Sequence, residues 1–235
     1  NEAGVSEILS LDLNTLEYRA SKRAKFATLE KTKTIENVSD RFPILIAGTD
    51  KAGAFYQKSF GMLFAYVSHR IPEISDSLYK IDDAMKAGFG WEHGPFEIWD
   101  AIGIDKGIEL AEAQGQKVAP WVSEMKASGQ NQFYSIQSGA TYYYDIPEKK
   151  KLKKPGQDAF IILDNIREKP AVYKNPGVVL HDLGDGILNL EFRSKMNTIG
   201  GEVLQGLNTG VDIAEKDFQG LVIGNQGPNF SVGAN

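Results

Sequence analysis

The sequence of 235 residues contains no cysteine and only three histidines. The first absence excludes disulfides and thiolate chemistry and favours a reducing compartment. His69, His93 and His181 are scattered, have no cysteine partners and show no metal-ligand spacing, so no metal is expected. No apolar run approaches the ~20 residues of a membrane span, and the N-terminus lacks the shape of a signal peptide. Positive charge is not in excess. With 26 Lys and Arg against 31 Asp and Glu, the formal charge is −5, which gives no reason to expect nucleic acid or an anionic membrane as partner. These absences point to a soluble, cytoplasmic protein. No internal repeat stands out, and the length allows one large domain or two small ones.

What is present changes character along the chain. Residues 1–50 are mixed: Leu11, Leu13 and Leu16, a basic stretch from Arg19 to Lys25, then Phe42–Ala47 closing on Gly48. They read as a connector from a preceding domain. Residues 51–135 read as a small all-α domain of four helices. Phe60, Leu63, Phe64, Val67 and Ile71 mark one apolar face before Pro72. Ser75 is placed to cap a helix carrying Leu78, Ile81 and Met85, and Asp105 to cap one ending at Gly115. Pro120 suits the first turn of a fourth, with Trp121, Val122 and Met125. Residues 136–176, with Tyr142–Tyr144 and five lysines within 148–154, read as a linker. Residues 177–235 follow a β, β, α, β grammar: Val178–Leu180, the hairpin signal Asp185-Gly186, alternating Leu188, Leu190 and Phe192, a helix through Val203, Leu207 and Val211, and the strand Leu221–Ile223.

Several motifs have plain readings. Gly88-Phe89-Gly90-Trp91-Glu92-His93-Gly94 comes near a dinucleotide fingerprint, but a helix precedes it and Pro95 follows, so it reads as a turn between helices. Gly48 to Gly53 lacks the Lys-Ser/Thr of a phosphate loop, with Ala54-Phe55 in that place. The lysines at 149–154 read as a solvated segment, with contact to coenzyme phosphates as the minority alternative. The sequons at Asn37 and Asn229 read as chance matches to a short pattern.

Two stretches carry a family resemblance. Ile81-Asp82-Asp83-Ala84-Met85, Gly88-Phe89-Gly90-Trp91, Gly94-Pro95-Phe96-Glu97 and Asp100-Ala101-Ile102-Gly103-Ile104 together resemble the C-terminal helical domain of 3-hydroxyacyl-CoA dehydrogenases. Gly177 to Asn235 resembles the opening of the enoyl-CoA hydratase/isomerase (crotonase) family. Its marks are the Asp185-Gly186 hairpin, Asn197 at the start of the first helix, and Asn229-Phe230-Ser231-Val232-Gly233-Ala234-Asn235, with Asn235 where Asp is usual. The fold class implied is mixed: an all-α dehydrogenase-type domain followed by a truncated α/β crotonase-like unit.

Both domains in this order resemble a bacterial fused β-oxidation enzyme acting on acyl-CoA with NAD. The start at Asn1 and the end inside a motif lead us to expect a segment of such an enzyme. The resemblance implies that the backbone N–H of Val232 is an oxyanion donor and that Lys195 touches coenzyme A. It places the remaining donor and the carboxylates elsewhere, so the isolated chain is expected to be inactive. The dehydrogenase family's helical domain contributes an Asn early in its first helix, yet none stands between Gly53 and Arg70; a second, structural copy is implied. The rival expectation is a non-enzymatic helical scaffold or dimerisation domain. An uncovered sheet edge in residues 177–235 leaves three outcomes open: packing on the helical domain, pairing as a homodimer, or fraying.

Overall fold

The computed structural model describes residues 8–21, 24–35, 37–227 and 229–234. Readings that fall on Asn1, Lys22, Arg23, Pro228 and Asn235 lie outside the described residues. The chain divides into two compact units, Asn1–Phe133 and Tyr134–Asn235.

The first unit begins with an antiparallel pair, β1 (Leu9–Leu11) and β2 (Tyr18–Ala20). Its described residues then form α1 (Ala27–Thr32), α2 (Val38–Ile46), α3 (Lys51–His69), α4 (Leu78–Phe89), α5 (Pro95–Ile102), α6 (Ile104–Glu112) and α7 (Pro120–Ala127). The four expected helices are present as α3, α4, α6 and α7, with Pro120 at the first position of α7. Three more were not anticipated. Phe42, Leu45 and Ile46, expected in a connector, are buried at helical spacing in α2. Pro95 and Gly103 frame only 8 residues of α5, too short for a periodicity to show. Two caps also differ: Ser77 rather than Ser75 precedes α4, and Gly103 rather than Asp105 precedes α6, its φ of +96° suiting glycine.

Aromatic rings hold this unit together. Phe64 stacks on Trp99 at 4.7 Å, and Phe133 meets Phe96 and Trp99 edge-on at 5.1 Å each. Such pairs add about 0.5–1.5 kcal/mol beyond burial. The Trp99 indole donates to the Ile104 carbonyl at 3.1 Å, satisfying its polar atom inside the core. Asp50 caps α3 and ties it to α1: its carboxylate accepts from the N–H of Thr28 at 2.9 Å and of Gly53 at 3.0 Å, and from the Thr28 hydroxyl at 2.8 Å. The Thr28 and Gly53 amides hold the Asp50 pKa down at about 2, against an ordinary value of 3.8. A folded pKa below the unfolded one gives stability that is present above pH ~4 and lost as pH falls through ~2. Acid titration followed by helical circular dichroism should therefore show Asp50→Asn less stable than the parent at pH 5, the gap closing toward pH 2. A gap independent of pH would refute the charge's role.

Gly94, in the turn before α5, has φ −77° and ψ 169°, open to any residue. What demands glycine is proximity, because a Cβ there would lie 2.3 Å from the Asp82 Cβ and 2.4 Å from its Cα. Gly94→Val should cost roughly 1–3 kcal/mol by overpacking, read as a melting midpoint several degrees lower. An unchanged midpoint would show that α4 and α5 can separate freely.

The second unit contains two sheets. β3 (Tyr134–Gln137), β4 (Ala140–Asp145) and β5 (Lys150–Lys153) form an antiparallel meander within the stretch read as a linker. A short helix, α8 (Leu163–Ile166), leads to a sheet of order β6 (Tyr173–Lys174), β7 (Val178–Gly184), β8 (Ile187–Phe192) and β9 (Gly220–Ile223). Asp185 and Gly186, with φ of +53° and +73°, make the tight turn between β7 and β8. β9 runs parallel to β8, returned by α9 (Gly201–Asp217). Asn197 does not open that helix: it ends a 3₁₀ turn, Lys195–Asn197, with φ +55°. One face of the sheet is apolar. Val178, Leu180, Leu188, Leu190 and Phe192 pack with Val203 and Ala214 of α9. Gly206 permits the approach, since a Cβ there would meet Val178 at 2.2 Å.

Candidate functional site

β8 and β9 are parallel neighbours, so the loops leaving their carboxyl ends rise side by side, the usual place for a ligand in a sheet of this kind. Those loops carry both expected site residues, Lys195 after β8 and Val232 after β9. Hydrogen bonds join them. The Asn197 amide donates to the Asn229 carbonyl at 3.0 Å, the Ser231 hydroxyl to the Asn197 carbonyl at 2.6 Å, and the Ile199 N–H to the Gly233 carbonyl at 2.9 Å. Asn225 anchors the second loop, accepting from the Phe192 N–H at 2.7 Å and donating to the Phe230 carbonyl at 2.8 Å. The Gly233 N–H donates to the Ser231 hydroxyl at 3.0 Å.

Val232 stands within this braced turn, half exposed, and its N–H has no acceptor among the described residues. Gly233 follows with φ +100°, a conformation that glycine adopts without strain and that sets the direction of the preceding peptide. An N–H in a braced turn, without an acceptor among the described residues, can hold a partial negative charge on oxygen. Lys195 is exposed, and its carbonyl accepts from the Thr198 hydroxyl at 2.8 Å. Neither loop contains Asp, Glu or His, so proton transfer at this point would need groups from elsewhere.

The motif residues of the first unit serve its architecture. Asp82 is fully buried on α4 and accepts from the Phe96 N–H at 2.9 Å and the Glu97 N–H at 3.1 Å, capping α5 from a neighbouring helix. Glu97 accepts from the Gly94 N–H at 2.8 Å and from the Lys86 ammonium at 2.6 Å. Burial pushes the Lys86 pKa down, but the hydrogen bond and charge of Glu97 outweigh it and the net shift is upward. Asp100 accepts from the Phe133 N–H at 2.7 Å, fixing that ring in the core.

The three histidines occupy separate surroundings. His69 Nε2 lies 3.1 Å from the Lys117 carbonyl, His93 Nε2 lies 2.5 Å from the Ser39 hydroxyl, and His181 is buried in β7. Among the described residues no three potential ligands gather in a metal-binding group, and no helix is long and apolar enough to cross a membrane. Lysines of the 149–154 run are engaged locally: Lys150 with Glu148 at 3.1 Å, Lys151 with the Tyr134 carbonyl at 2.6 Å, and Lys153 with Asp158.

One polar cluster was missed by the sequence reading. Asn189 and Glu191 alternate with the core residues of β8, yet both are buried, as is His181 beside them. Arg167, just after α8, donates to Glu191 through Nε at 3.0 Å and through Nη2, and Arg193 Nη1 lies 3.7 Å from the same carboxylate. Glu191's hydrogen bond and charge raise the Arg167 pKa. Burial lowers the His181 pKa, against the Glu191 charge and a hydrogen bond at Lys169 that favour the charged form. A lone arginine in a turn-rich stretch gives no signal of the partner it will find.

The α4–α5 junction of the first unit is thus braced by Asp82, Glu97 and Lys86. Residues 60–142 match the family model "3-hydroxyacyl-CoA dehydrogenase, C-terminal domain". The chain is 39% identical over 229 residues to a Bacillus subtilis protein named "Probable 3-hydroxyacyl-CoA dehydrogenase", covering 97% of the chain and 29% of that relative. It is 26% identical over 193 residues to a Rickettsia felis protein named "Putative fatty acid oxidation complex trifunctional enzyme", covering 81% of the chain and 23% of the relative. A Rickettsia prowazekii protein of the same name is 25% identical over 190 residues, with the same coverage. The chain therefore spans less than a third of the length of these relatives. No solved structure gives a significant match.

Proposed function

We propose that the chain is part of a fused fatty-acid β-oxidation enzyme. It would link the helical domain of an NAD-dependent 3-hydroxyacyl-CoA dehydrogenase to the opening of an enoyl-CoA hydratase unit. The dehydrogenase half rests on the family match over residues 60–142. The hydratase half rests on one observation in the second unit: the loops bearing Lys195 and Val232 meet at the carboxyl ends of β8 and β9, and the Val232 N–H has no acceptor among the described residues.

In this reading α3 to α7 are a structural copy of the helical domain, because α3 offers no Asn. The Val232 N–H holds the thioester enolate oxygen, and Lys195 faces the phosphates of coenzyme A. Carboxylates outside these loops move the protons of water. Acyl-CoA is the substrate, the cytoplasm the setting, and NAD would bind in a domain that these 235 residues do not supply.

The test compares two proteins. The full-length protein should oxidise 3-hydroxybutyryl-CoA with NAD and hydrate crotonyl-CoA, while the 235-residue chain should do neither. Turnover by the short chain, or neither activity in the full-length protein, overturns the reading.

A further inference from the structure

On the sheet face opposite α9, in the second unit, a cleft of about 540 Å³ opens between the segment after α8 and the paired strands β6 and β7. Its charged lining is of one sign, Arg167, Lys169, Lys174 and Arg193, and His181 and Asn175 also line it. No carboxylate lines it among the described residues. Two carboxylates engage its arginines from outside the lining: the buried Glu191 pairs with Arg167 and lies 3.7 Å from Arg193, and the exposed Asp164 pairs with Arg167. Lys169 and Lys174 are exposed and have no ion-pair partner among the described residues. This differs from the lysines of the β5 hairpin, where Lys150 and Lys153 pair with neighbouring carboxylates.

Lys169 and Lys174, unpaired among the described residues, stand beside an Arg193 that Glu191 holds only at 3.7 Å, and this local excess of positive charge is relieved by a multivalent anion. The volume lies within the range of small-molecule pockets and suits a diphosphate. The two ammonium groups supply point charges to phosphate oxygens, and the loosely held Arg193 guanidinium can add a fork. A single carboxylate would leave part of the positive charge uncompensated. The chain's net charge of −5 argues against a long nucleic acid, whose attraction needs an extended basic surface.

We propose that this cleft is a binding site for a diphosphate-type anion. The inference stands apart from the hydratase reading, since it uses none of the residues assigned to that site. The diphosphate could belong to a nucleotide coenzyme or be free pyrophosphate, and the two sources share the same recognition chemistry.

Calorimetric titration of the 235-residue chain with pyrophosphate at low ionic strength is the test. Saturable binding is expected, weakened about tenfold or more in Lys169→Gln/Lys174→Gln. Both side chains are exposed, so this variant should keep its fold, checked by circular dichroism. Lys150→Gln/Lys153→Gln should bind as the parent does. Displacement of pyrophosphate by coenzyme A would assign the source to a coenzyme, and failure of displacement to the free anion. No saturable heat, or equal weakening in the two double variants, would overturn the site.

Discussion

Gly233→Val in the full-length protein is expected to lower kcat for crotonyl-CoA hydration about 10²–10³-fold, the typical cost of one lost oxyanion donor. Oxidation of 3-hydroxybutyryl-CoA should be unchanged. The expectation follows from the φ of +100° at Gly233. A β-branched residue resists that region, so the turn must relax around Gly233, which displaces Val232 together with its N–H on the preceding peptide. The loop is anchored elsewhere by Asn225, Asn197 and Ser231, which confines the change. Gly227→Val is the control: Gly227 has no positive φ and no neighbour that a Cβ would meet, so hydration should survive it. Equal loss of both activities in Gly233→Val would indicate general misfolding. Full hydration would remove Val232 from the site.

How much of this was legible in the sequence depends on whether a signal was local. The β7–β8 hairpin was announced by Asp185-Gly186, and the β-α-β return by alternation changing to helical spacing, because both are written in consecutive residues. The helices α3, α4, α6 and α7 were visible for the same reason. Missed elements depend on distant partners. α2 gains its helical character from burial of Phe42, Leu45 and Ile46, and the meander β3–β5 is made by pairing across a stretch dominated by charge. The constraint on Gly94 is of the same kind, since it comes from Asp82, twelve residues earlier, rather than from its own dihedrals.

The site shows the same division. Val232 and Lys195 were candidates by resemblance alone, and the meeting of their loops at adjacent strand ends follows from the parallel pairing of β8 with β9. The burial of Glu191 could not be read from alternation, which identifies two faces of a strand without telling what covers each. Here α8 and its flanks cover the polar face. The Leu163 N–H donates to the Gln226 side chain at 2.7 Å, and Gln226 returns a bond to the Ile161 carbonyl at 2.6 Å. Asn165 secures the same segment to β4, donating to the Thr141 hydroxyl at 3.1 Å.

That burial sets up the larger stability effect. Arg167→Met should destabilise the second unit by about 3 kcal/mol, because Glu191 would remain in the interior without its main partner. The Glu191 side chain is 3% exposed and Arg167 29%, so the loss falls on a desolvated carboxylate rather than a surface pair. Arg193, at 3.7 Å, can recover part of the charge interaction but does not replace the two-point contact of Arg167. The double variant Arg167→Met/Glu191→Leu should lie within about 1 kcal/mol of the parent, since replacing both members removes the stranded charge. The three tryptophans, Trp91, Trp99 and Trp121, all belong to the first unit. Urea unfolding followed by tryptophan fluorescence should therefore keep its midpoint in both variants. Tyrosine fluorescence and far-ultraviolet circular dichroism, which also report the second unit, should show an early transition in the single variant alone. A single variant as stable as the parent would mean that Arg193 suffices for Glu191. A double variant as unstable as the single would place the loss in packing around α8 rather than in the stranded charge.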